Sequence, residues 1–115
     1  MVAVVALALG AVGCAGPLGE GEAQFRKGRY PEAKQTLAKL EGESRDWADA
    51  ERAEYALYRG LTFAALGDRG AAAVWLRKAT LFEEAHPGAL IEDDARRLAV
   101  ARDANAFPSD GASLW

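Results

Sequence analysis

The sequence predicts an all-α fold of about five helices, joined by short turns into antiparallel hairpins. Three observations lead there. Past residue 13 the chain is dominated by Ala, Leu, Glu, Arg and Lys, with few β-branched residues, a mix that favours helix. Apolar residues recur with the helical period, and no stretch alternates apolar and polar residues for long. Glycine and proline fall in groups that divide the periodic segments. With 115 residues the chain makes one domain at most.

Residues 2–12 are an unbroken apolar run without charge, and the first charged residue is Glu20. The run is too short to span a bilayer, which takes about 20 residues, but it has the length of a signal-peptide h-region. Residues 1–13 are therefore read as a targeting segment and residues 14–19, which contain Gly16-Pro17-Leu18-Gly19, as a linker. A first helix is expected over residues 20–27, ended by the turn at Gly28-Arg29. Pro31 suits the first position of a second helix, which runs to about residue 41 with Ala33, Leu37 and Leu40 on one face. Residues 41–46 read as a polar loop, in which Ser44 or Asp46 caps the next helix. That third helix is long, over residues 47–66, with Ala53, Ala56, Leu57, Gly60, Phe63 and Ala64 facing inward. Gly67-Asp68 ends it.

The fourth helix is expected over residues 70–85, with Ala72, Trp75, Leu76, Ala79 and Phe82 on one side, until Pro87-Gly88 breaks the chain. The fifth spans residues 89–104 and carries Ile91, Ala95 and Leu98. Glu92, Asp93 and Asp94 stand near its start, where the helix dipole favours acids, and Glu92–Arg96 and Asp93–Arg97 are i, i+4 pairs. Residues 20–104 thus form the helical domain, and residues 105–115 an irregular, flexible tail.

The two hairpins resemble each other. Gly28, Ala33, Leu37 and Leu40 recur as Gly67, Ala72, Leu76 and Ala79 at a constant offset of 39 residues. The pattern resembles the tetratricopeptide repeat, a pair of antiparallel helices about 34 residues long. In the second copy Gly60 falls at the small position of the first helix, Phe63 at the aromatic position and Gly67 at the turn. Ala72, Leu76 and Ala79 fall at the packing positions of the second helix. The first copy matches in its second half only, since Glu20 and Gln24 stand where apolar or aromatic residues are expected. The resemblance implies a short α-solenoid whose inner helices line a partner-binding groove. By that resemblance the groove residues are Glu54, Leu57, Leu61, Ala64 and Ala65, extended by Phe25 and Arg26. The clamp by which some members hold a C-terminal carboxylate is missing, because Leu18, Glu22, Glu54 and Tyr58 occupy its positions.

Ala11-Val12-Gly13-Cys14 resembles the lipobox of bacterial lipoproteins, although the usual leucine is Ala11 and no Lys or Arg precedes the apolar run. The resemblance implies cleavage before Cys14, lipid attachment to Cys14, and a place in the cell envelope on the periplasmic face of the outer membrane. The alternative is a buried apolar helix with an ordinary core cysteine. A single cysteine excludes a disulfide framework and a cysteine zinc site. The formal net charge of −3 argues against nucleic acid as a partner.

Catalytic residues, cofactors and metals are not expected. His86, the only histidine, reads as a cation at a helix end. Glu83, Glu84, Glu92, Asp93 and Asp94 read as a solvated face rather than as a paired-carboxylate site. Trp75 and Phe82 are assigned to the core, as are Trp47, Tyr55 and Tyr58, which are also of the type favoured at interfaces. The functional expectation is a lipid-anchored, non-enzymatic scaffold that tethers or helps assemble a partner protein. The alternative is a helical-repeat module that completes its stack by self-association.

Overall fold

The computed structural model describes residues 16–106, and among them the secondary structure is helical throughout, with no strand. The elements are α1 (Gly19–Arg26), α2 (Tyr30–Lys39), α3 (Glu41–Ser44), α4 (Asp49–Ala65), α5 (Arg69–Ala85) and α6 (Glu92–Ala106). The apolar segment, Cys14 and the tail beyond residue 106 lie outside the described residues.

Two turns are built alike. At the end of α1 the Gly28 amide donates to Phe25 O (2.9 Å) and the Arg29 amide to Gln24 O (2.8 Å). At the end of α4 the Gly67 amide donates to Ala64 O (3.0 Å) and the Asp68 amide to Phe63 O (2.9 Å). This is the Schellman arrangement, and both glycines take the left-handed backbone it needs, with φ of 78° and 83°. A side chain there would be strained. Each turn reverses the chain within three residues, so α1 with α2 and α4 with α5 form hairpins. Pro31 lies in the first turn of α2, one residue later than expected, since the helix begins at Tyr30, and the Asp68 carboxylate caps α5 by accepting from the Ala71 amide at 3.1 Å.

The hairpins interlock in the same way. An added Cβ at Gly60 would stand 2.6 Å from Leu76 Cδ2, and one at Gly21 would stand 2.5 Å from Leu37 Cδ2. Gly21 and Gly60 are 39 residues apart, as are Leu37 and Leu76, so one knob-and-hollow contact occurs twice. The first helix, matched poorly by its side-chain types, therefore carries the close-approach glycine of the second copy. Ala33, Leu37, Ala72 and Ala79 are fully buried and Leu76 is nearly so. The α4–α5 hairpin is the centre of the molecule: α1 and α2 pack against α4, while α6 packs against α5 and α4.

Four details depart from expectation. Residues 41–44 form a short helix rather than a loop, since Ser44 donates its amide to Leu40 O and its hydroxyl to Glu41 O (2.7 Å), which satisfies a buried serine. Neither Ser44 nor Asp46 caps α4; the N-cap is Ala48, with no side-chain bond, α4 starts at Asp49, and Trp47 ahead of it packs edge-on against Tyr55. The last helix starts at Glu92, after a turn held by Glu83, whose carboxylate accepts from the Gly88 and Leu90 amides at 3.0 and 2.9 Å. Leu90, not Ile91, is thereby buried, and Ile91 stands 68% exposed.

Candidate interaction cleft

Two features of α4 define opposite sides of the molecule. One is a buried polar cluster. Tyr58 is 1% exposed, and its hydroxyl donates to Asp94 Oδ1 at 3.0 Å while accepting from the Arg26 guanidinium at 3.3 Å. Asp94 also accepts from Arg97 at 2.8 Å, and Arg26 pairs with Glu22 at 3.3 Å. The cluster thus joins α1, α4 and α6. Asp94 is 4% exposed, which corrects its assignment to a solvated face; Glu84, Glu92 and Asp93 are exposed as expected, and Glu83 is half-buried. The pairing also differs by one residue: Arg96 binds both Glu92 and Asp93, and Arg97 turns inward to Asp94.

Glu22 is 7% exposed, and one of its oxygens has no hydrogen-bond donor. Burial, then the neighbouring Glu54 carboxyl, pushes Glu22 up to about 8. A proton on Glu22 gives it a donor toward Glu54, the physical way for two carboxyls to share such a place. Tyr58 is pushed up to about 12, first by burial and then by Asp94. The cluster ties three helices together through side-chain bonds and reads as a clasp between elements.

The other side holds a cleft of about 560 Å³ between α3, α4 and α5. Its floor is aromatic: Tyr55 meets Trp75 edge-on at 5.7 Å between ring centres, and Phe82 and Leu81 continue the apolar surface. Arg59 braces this floor from beneath. It is 7% exposed, lies 4.4 Å over the Trp75 ring and 5.3 Å from the Phe63 ring, and pairs with Glu41 at 3.0 Å. Tyr55 donates its hydroxyl to Leu37 O, and burial raises its pKa above the usual phenol value. The rim is cationic, from Arg45, Arg52 and Lys78. Arg52 lies 4.8 Å over the Phe82 ring and Lys78 4.2 Å over the Trp75 ring. Ring faces therefore hold these two cations, and none of the three forms an ion pair among the described residues. His86 closes the far end, its Nε2 3.4 Å from Asp49 of α4.

Of the residues expected to line a groove, Leu57 is fully buried and is unavailable to a docked chain, because α4 is covered on that side by its neighbours. Glu54, Leu61 and Ala64 are half-buried and Ala65 is exposed, but none of the five lines the cleft. Phe25 packs edge-on against Tyr58 and Arg26 joins the clasp. Sequence reasoning placed Trp75 and Phe82 in the core, yet both are half-buried at the cleft. Their i, i+7 spacing, with Lys78 and Leu81 between them, was the available signal.

The described residues contain no group of three or more His, Cys, Asp or Glu able to hold a metal, and no helix long and apolar enough to cross a membrane. Comparison with protein-family models, with curated proteins and with solved structures finds no match to this chain.

Proposed function

We propose that this chain is a lipid-anchored, non-enzymatic scaffold of the bacterial cell envelope, built from tetratricopeptide-like hairpins, that tethers or helps assemble a partner protein. The observation that carries the reading is the duplicated contact: Gly21 on Leu37 and Gly60 on Leu76, each beside the same glycine turn. Stacked hairpins of one design give a rigid surface whose value lies in what it binds. The aromatic cleft is the exposed part of that surface best suited to a protein segment. The anchor rests on the lipobox resemblance at residues 11–14. The linker from Cys14 to α1 reaches about 20 Å at most, so the lipid holds the first hairpin close to the membrane. Cys14→Ser tests this: the variant is expected in the soluble fraction, and a variant that stays on membranes through a high-salt wash removes the anchor.

One observation favours the self-associating alternative. Val100 and Ile91 stand 69% and 68% exposed at the α6 end of the array. Light scattering of the unlipidated chain decides: a monomer across micromolar concentrations eliminates this alternative.

A further inference from the structure

We infer that the cleft between α3, α4 and α5 takes an acidic protein segment, one in which carboxylates flank an aromatic or branched apolar side chain. The inference rests on the scaffold reading above and names the chemistry of the partner.

The argument is one of complementarity. The chain as a whole is acidic, with a formal net charge of −3. The hollow between α3, α4 and α5 is nevertheless edged by Arg45, Arg52 and Lys78. Among the residues lining the hollow the one carboxylate, Glu41, is already engaged by Arg59. The three rim cations have no carboxylate partner among the described residues, and ring faces hold two of them in place. A cation fixed over a ring keeps its remaining donors free and has already lost much of its side-chain entropy. An incoming carboxylate therefore meets positioned donors rather than mobile ones. Between the cations the floor of Trp75, Phe82 and Leu81 is apolar, and Leu81 is 52% exposed. The segment that fits places an apolar side chain on this floor and acids on the rim.

A nucleic acid shares the negative charge but fits less well. Its charge is continuous, so it would extend beyond three cations onto the acidic remainder of the chain. A short peptide carries two or three charges and then ends.

The test uses the full chain and capped synthetic peptides, with Trp fluorescence as readout. One peptide alternates Glu with Phe and Leu, a second has Lys in place of Glu, and a third has Gln. The acidic peptide should bind about ten-fold tighter than the Lys peptide, the sum of two or three half-exposed charge pairs, and added salt should erode the difference. Arg52→Glu/Lys78→Glu should reverse the preference. The milder Arg52→Gln/Lys78→Gln should abolish it without reversal, which covers the case in which charge reversal unfolds the chain.

Equal binding of the three peptides overturns the inference. So does tighter binding of a single-stranded oligonucleotide than of the acidic peptide. Binding that appears only after residues 107–115 are deleted assigns the cleft to the chain's own end and likewise overturns it. A dimer dispersed by the double Glu variant assigns it to a second copy, with the same consequence. Failure here is separable from failure of the scaffold reading. A partner crosslinked equally to wild type and to the Gln variant keeps the scaffold on another surface; a chain with no crosslinked partner loses both.

Discussion

At the scale of single residues, four buried polar side chains organise the fold. Arg59 sits among the Tyr55, Phe63 and Trp75 rings and pairs with Glu41, so its guanidinium stiffens the cleft floor by cation–π contact as well as by the ion pair. Tyr58 and Asp94 clasp α4 to α6. Tyr58→Phe removes the hydroxyl and leaves Asp94 with Arg97 alone. It should cost about 1–2 kcal/mol in denaturant unfolding, the usual value for a lost buried hydrogen bond to a charged group. Glu22 makes the stability pH-dependent. In the folded chain it titrates at about 8, against an ordinary 4.5, so the folded state holds a proton that the unfolded state has released across that interval. Its contribution is complete below 4.5 and is lost as pH rises to about 8. Glu22→Gln should therefore gain stability relative to wild type as pH rises from 5 to 8, read from urea midpoints across the range. A constant difference between the two would show that Glu22 ionises normally.

At the scale of elements, the turns were legible because glycine leaves a local signature. Gly28 and Gly67 each follow an apolar-periodic run, and both take the expected conformation. The duplicated packing was only half legible. Leu37 and Leu76 stand out as large residues in matched registers, whereas Gly21 is a small residue beside acids in a helix with little amphipathic contrast. Only its 39-residue spacing from Gly60 reveals it. The clasp was illegible, because Asp94 sits in a run of three acids that differ by helix phase alone; which one turns inward depends on where α6 starts, and Glu83 sets that by holding the Gly88–Leu90 turn. The cleft was missed for a related reason: an apolar side chain at helical period looks the same whether a neighbouring helix covers it or leaves it open. The glycine contacts predict an order of cost. Gly60→Ala meets both the Leu76 side chain and the Leu76 backbone nitrogen at 3.0 Å, while Gly21→Ala meets only the Leu37 side chain. Gly60→Ala should lose about 1–3 kcal/mol, the overpacking range. Gly21→Ala should lose less, since Leu37 can shift and alanine favours helix by about 1 kcal/mol. Thermal melts of the two variants check the order.

At the scale of the whole molecule, the proposed function combines a lipid on Cys14 with a cleft between α3, α4 and α5. On the proposed reading the lipid sets location, and the packing of α5 on α4 holds the cleft in place before any partner arrives. If the proposed anchor is real, Cys14→Ser should change where the protein is found without changing its melting temperature, because Cys14 precedes α1 in the sequence. The central claim is that this preformed cleft binds a protein. A photo-crosslinking side chain at Leu81, on the cleft floor, tests it most directly against one at Val100, exposed on α6 away from the cleft. In intact membranes the account predicts a discrete protein adduct from position 81 and none of that mass from position 100. The same adduct from both positions, or none from position 81, would contradict it.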